Sequence, residues 1–216
     1  MRGAGKVAAM PRMPIAERRQ QLVEAAIAVM TRDGVRKATT RAIASEAGTS
    51  LSVFHYCFDS KQELLESVVT TIVGKTVTLA EESLAQAMPS NGATMDKKER
   101  LDVVRLAMHA YWDHVTANPE EHLLTYEVTQ FCLRDPEFAH VAQRQYELYA
   151  QAYVMVFENV GLTSTWPVAT VARLLAVTFD GLTLDWLVRR DSESSVAVLD
   201  AVAQQLNAVL VPVASS

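Results

Sequence analysis

Within one window of 23 residues, Thr39 to Lys61, the sequence TTRAIASEAGTSLSVFHYCFDSK gathers Thr39, Thr40, Arg41, Ser50, Ser52, His55, Tyr56 and Lys61. Hydroxyls, an imidazole, a phenol and two cations are partners for phosphate oxygens and for base edges, so the chemistry on offer is recognition of duplex DNA. A helix from Leu51 to about Cys57 would turn Val53, Phe54 and Phe58 inward. Ser52, His55 and Tyr56 then face outward, with Leu51 at the helix start, where a recognition helix meets base edges. Ser60 followed by Glu63 reads as a capping box, which puts Lys61 in the first turn of the next helix, where backbone N–H groups and the ammonium can share one phosphate.

The spacing that would position these groups is steric. Ala44, Gly48 and Phe54 lie four and six residues apart: a small residue where two helices cross, a glycine in a turn that needs positive φ, and a bulky apolar anchor on the second helix. Ile43 and Ala47 complete the inward face. Thr39 or Thr40 suits the N-cap of the first helix, and Ser50 that of the second. Two connecting helices of an ordinary all-α core, with His55 and Tyr56 as surface residues, is the plainer reading of the same window.

Preceded by an amphipathic helix and a glycine, this window resembles the N-terminal domain of the TetR family of bacterial transcriptional regulators. The matching positions are Thr39, Ile43, Ala44, Ala47, Gly48, Thr49, Ser50, Phe58, Ser60 and Lys61. Two departures alter the contact map. The family's phosphate-contacting tyrosine is replaced by His55, with Tyr56 one place later, and the often small or basic residue after the serine is Leu51. The H-Y-x-F arrangement is similar to that of the betaine-responsive regulators within the family. The resemblance implies a dimer that binds an operator, a ligand cavity among the middle helices, and a second domain that dimerises through the last two helices.

At 216 residues and half apolar, the chain can bury a core without staples. Its two cysteines, Cys57 and Cys132, fit no metal or redox spacing and read as reduced packing thiols. No cofactor is expected. The first residues carry positive charge without an apolar stretch behind it, and no uncharged run approaches membrane-spanning length, so a cytoplasmic protein with no membrane partner is expected. Residues 1–65 hold ten Lys and Arg against six Asp and Glu, leaving ten against nineteen for the remainder. A basic front suits a polyanion, and an acidic body keeps other faces off it.

Taken in order, residues 1–14 lack periodicity and read either as a disordered basic tail or as an arm for the minor groove, with Arg2, Lys6 and Arg12. Residues 15–60 then form the helix-turn-helix domain, its first helix carrying Val23, Ala26, Ile27 and Met30 and ending at Gly34. Arg36 and Lys37 follow, either against the backbone of DNA or in a solvated loop. Residues 61–212 form a helical effector-binding and dimerisation domain. Within it a long helix runs from Lys61 to about Met88 and breaks at Pro89-Ser90-Asn91-Gly92. Further starts fall at Asp96, Asn118-Pro119, Asp135-Pro136, Pro167 and Ser194. No β-alternation or repeat is visible, so the fold class is all-α with about nine helices.

The last two helices carry a packing signal. Val171, Leu175, Phe179, Leu182 and Trp186 follow three-and-four spacing, as do Leu199, Val202 and Leu206, and these residues are the expected dimer interface. Leu174, Val177, Leu184, Leu187 and Val188 give the first of the two helices a second apolar side. Between the two domains' functions, His109, Trp112, Tyr126, Gln130, Phe131, Tyr149 and Tyr153 are candidates for the effector cavity, although an aromatic stripe also suits plain core. Two other classes stay open. An enzyme would have to build on His109 and Asp113, one helical turn apart, with no nucleophile elbow or phosphate loop to join them. A small-molecule carrier of the same fold would bind a ligand without reading DNA. The expected function is a ligand-responsive regulator, a repressor released from a palindromic operator by a small, largely apolar effector, and not an enzyme.

Overall fold

The computed structural model describes residues 13–88 and 95–213. Most of the expected basic tail and the helix break at residues 89–92 lie outside them. Nine helices and two short strands make up the described residues, which divide into two compact units, Met1–Leu64 and Leu65–Ser216.

In the first unit, α1 (Ile15–Asp33), α2 (Thr40–Glu46), α3 (Leu51–Cys57) and the first turn of α4 (Lys61–Ala87) enclose a small core. Leu22, Ala26, Met30, Ile43, Ala44, Phe54 and Phe58 are all buried there. The caps form as the sequence predicts. Thr39 Oγ1 accepts from Ala42 N at 3.2 Å, Ser50 Oγ from Val53 N at 3.3 Å and Ser60 Oγ from Glu63 N at 3.1 Å. Gly48 takes φ +61° in the turn, and Thr49 N closes it onto Ala44 O at 2.9 Å; a β-carbon there would be strained even though the space around it is open.

Arg19 was not visible as a structural residue in the sequence, yet it clasps this unit. Its guanidinium donates to the Cys57 carbonyl at the end of α3, pairs with Glu63 at 2.7 Å and lies 4.2 Å from the centre of the Phe58 ring. It therefore satisfies an orphan helix-terminal carbonyl and ties three helices at one point. Arg19→Ala should lower the stability of the protein by about 1–2 kcal/mol in urea unfolding. Arg32→Ala, which breaks only exposed pairs with Asp33 and Glu46, should leave the midpoint unmoved.

The second unit contains the remainder of α4, then α5 (Lys97–Ala117), α6 (Pro119–Leu133), α7 (Ala139–Asn159), α8 (Val168–Arg189) and α9 (Ser192–Val209). Asp96 and Glu99 form a reciprocal capping box at the start of α5. Helix α7 begins at Ala139, later than Asp135-Pro136 suggested, because Asp135 accepts from Glu137 N at 3.1 Å in a preceding turn. The all-α expectation needs one addition. β1 (Leu162–Ser164) and β2 (Leu210–Pro212) pair antiparallel with Thr163 opposite Val211, and three residues per strand are too few to show as alternation.

The packing of α8 and α9 corrects the expected dimer interface. Val171, Leu175, Phe179, Leu182, Trp186, Leu199 and Leu206 are buried in the chain's own core, and Val202 packs half-buried against it. Trp186 meets Trp112 edge to face at 6.1 Å. These residues form the inward seam of the chain's own core, with Val202 at its half-buried edge. The surface left bare is the other side of the two helices: Leu174, Val177, Leu184, Val188 and Val198 are exposed, in line with Gly181, around whose α-carbon there is open space.

Candidate functional site

Helix α3 offers its outward groups as predicted. Ser52, His55 and Tyr56 are exposed, Tyr56 by 68%, and Leu51 is half-buried at the first turn. Phe54 anchors the helix from below, with the His55 ring edge-on to it at 5.5 Å. Arg41 is exposed on α2, while the hydroxyls of Thr39 and Ser50 are engaged as caps; Thr40 follows at the first position of α2. Lys61 is half-buried, and its Nζ donates to the Val35 carbonyl at 3.4 Å.

In the second unit a cavity of about 80 Å³ opens among five helices. Val73, Thr76 and Ala80 of α4 form one wall, and Val104, Met108 and Tyr111 of α5 another. His122 and Tyr126 come from α6, Tyr149, Tyr153 and Phe157 from α7, and Phe179, Asp180 and Thr183 from α8. Tyr153 stacks on Phe179 at 5.7 Å, and Tyr111 meets Phe179 edge-on at 5.2 Å. Tyr126 donates to the Asp180 backbone carbonyl at 2.6 Å and Tyr146 to its carboxylate at 2.8 Å.

The cavity is electrostatically one-sided. Burial, followed by the influence of neighbouring groups that include Asp180, pushes the hydroxyls of Tyr111, Tyr126, Tyr146 and Tyr153 well above the usual tyrosine range. Burial takes Tyr149 up to about 12 and brings the His122 imidazole down to about 4, with His114 adding to the effect. Two polar atoms of the lining, His122 Nε2 and Thr183 Oγ1, are buried with no hydrogen-bond partner among the described residues.

Of the sequence candidates, Tyr126, Tyr149 and Tyr153 line this cavity. The other four do not. His109 bonds Asp200 on α9 at 2.9 Å, which also replaces the His109–Asp113 pairing on which an enzyme reading would rest. Trp112 is core, Gln130 is exposed, and Phe131 packs edge-on against Phe138 at 5.5 Å. Phe179 and Leu175, assigned from the sequence to a dimer interface, line the cavity instead. Asp180 and Thr183 were missed; their signal was an acid and a threonine three residues apart inside the largely apolar α8. No group of three or more His, Cys, Asp or Glu among the described residues is arranged to hold a metal ion, and no helix of the described residues is long and apolar enough to cross a membrane.

Known proteins match both units. Residues 22–68 match the family described as bacterial regulatory proteins, tetR family, and residues 99–210 match the tetracyclin repressor-like C-terminal domain. The HTH-type nicotine-responsive transcriptional repressor HdnoR of Paenarthrobacter nicotinovorans is 30% identical over 81% of this chain and 86% of its own. A transcriptional regulator from Rhodococcus sp. Rha1 superimposes with a TM-score of 0.65 at 20% identity, covering 88% of this chain and 97% of its own. The fatty acid degradation regulator FadR from Bacillus halodurans does so with a TM-score of 0.61 at 16% identity, covering 91% and 96%. With a capped helix-turn-helix in one unit, a helical cavity in the other and family matches across both, the chain belongs to the TetR family of bacterial transcriptional regulators.

Proposed function

We propose that this protein is a repressor that binds a palindromic operator as a homodimer in the cytoplasm and leaves it when a small organic effector fills the cavity of the second unit. The observation that carries this reading is the course of α4. One continuous helix begins at Lys61, four residues after the end of α3, and farther along contributes Val73, Thr76 and Ala80 to the cavity wall. A cavity of about 80 Å³ is smaller than the roughly 150 Å³ that admits benzene. A ring-sized effector must therefore move the walls, and α4 is one of them. Release from DNA is then limited by the ratio of effector affinities for the two positions of that helix.

Support for repression comes from the relative that is 30% identical, itself a nicotine-responsive repressor. Support for a dimer comes from the bare apolar line on α8 and α9, since two recognition helices roughly 34–36 Å apart read the two halves of a palindrome. The reading is tested by incubating the protein with sheared host DNA at about 150 mM salt, where purely electrostatic binding is suppressed, and sequencing what is retained. A few palindromic sites beside promoters are expected. Uniform recovery, or none with and without host metabolite extract, would leave a carrier of the same fold as the better account.

The assignment of DNA contacts makes a separate prediction. Tyr56→Ala and Ser52→Ala should each lower operator affinity by about 1–3 kcal/mol while affecting random duplex little. Lys61→Ala should weaken both alike and reduce the salt slope by about one. Equal losses on operator and random DNA for all three variants would overturn the base-reading assignments.

A further inference from the structure

Asp180 is the one acidic residue lining the cavity, and the lining contains no Lys or Arg. Among the described residues no cation forms an ion pair with it. Its carboxylate is half-buried; Oδ2 accepts from Tyr146 at 2.8 Å, and the Tyr126 hydroxyl is the other neutral donor beside it. A half-buried carboxylate without a counterion is costly, and the cost is removed when a cation arrives. Resting on the reading of this cavity as the effector site, the geometry points to an organic cation as the ligand: a protonated or quaternary amine on a compact aromatic or aliphatic body, its charge at Asp180.

The walls agree with that class. Tyr111, Tyr153 and Phe179 are packed together beside Asp180, and aromatic faces attract a cation while accepting an apolar body. The Asp180 charge contributes to holding all five neighbouring tyrosines protonated, so its field extends through the cavity. An anion would enter that field with no cation to meet it, which excludes carboxylates and phosphates. Also in the lining, Thr183 is 3% exposed, and its Oγ1 and His122 Nε2 both lack a partner among the described residues. Buried polar atoms left unpaired cost stability, and each can serve a neutral hydrogen-bonding atom of the ligand. His122 is held neutral near pH 7 and does not compete with the cation for Asp180.

Three probes of like size and different charge test the inference by calorimetry on the full chain at pH 7: N,N-dimethylbenzylamine, its neutral isostere isobutylbenzene, and phenylacetate. The amine should bind at least about tenfold more tightly than isobutylbenzene, and phenylacetate should give no heat. Asp180→Asn should bring the amine down to the level of isobutylbenzene while isobutylbenzene itself stays within about twofold, which shows the cavity intact. Tyr146→Phe removes a neutral donor from the carboxylate and should leave amine affinity equal or higher. The inference is overturned if the amine does not bind, if phenylacetate binds as well, or if Asp180→Asn changes amine affinity by less than about twofold. Operator affinity is measured separately. Amine binding that depends on Asp180 without release of operator DNA would sink the switch and leave the cation assignment standing.

Discussion

Leu184→Asp should leave a folded monomer of 23.8 kDa and lower operator affinity by at least about 100-fold, the avidity lost when two linked half-sites become one. Leu184 is 49% exposed on the outward side of α8, in line with Leu174, Val177, Gly181 and Val188. In a monomer the new carboxylate stays solvated. At a two-fold interface built on that line, residue 184 of one copy would lie near the axis and the same patch of the other, so the substitution would bury two like charges against apolar surface. Each costs several kcal/mol to desolvate. Gly181→Leu is the steric counterpart: a side chain has open space within the chain but would hold two helices apart. Sedimentation at micromolar concentration reads the mass, and circular dichroism reads the fold. A variant that stays dimeric would place the interface elsewhere. Leu182→Asp, two residues earlier but in the core, should unfold the unit and so separates the two faces of one helix.

That contrast also shows how far the sequence could be read. Thr39, Ser50 and Asp96 were legible as caps because the donor and acceptor lie within three residues of each other, and the helices followed from those signals. Helix α8 was legible as a packing element but not as to which side faces in. Val171, Leu175 and Leu182 have the same helical three-and-four periodicity and character as Leu174, Val177 and Leu184, and apolar residues on both sides erase the asymmetry that periodicity measures. Only the neighbouring helices decide the matter, through contacts such as Trp112 against Trp186. The cavity was half legible for the same reason. Tyr149 and Tyr153 stand out as aromatics at helical spacing, whereas Asp180 acquires meaning from Tyr126 and Tyr146, which are 54 and 34 residues away in sequence. His109 illustrates the opposite error, since the nearby Asp113 was the visible partner and the distant Asp200 is the real one.

Titration of His122 should supply the second large effect. The unfolded chain protonates this imidazole near pH 6.5, whereas in the folded protein burial, with His114 at 5.9 Å reinforcing it and Glu121 opposing it, holds the proton off until about pH 4. Below pH 6.5 the unfolded state therefore binds more protons than the folded state, and stability falls as the pH falls. The loss is absent at pH 7, grows between pH 6.5 and 4, and levels off below that. By pH 4 it amounts to about 3 kcal/mol. Stability across this range sums over many groups, so the quantity to measure is the difference between the wild-type protein and His122→Gln in urea unfolding across pH 7 to 4. The variant should lose about 3 kcal/mol less over that interval. Parallel curves for the two proteins would mean that the imidazole is open enough to water to take up its proton in the folded state, and His122 Nε2 would then no longer be a buried acceptor waiting for a ligand.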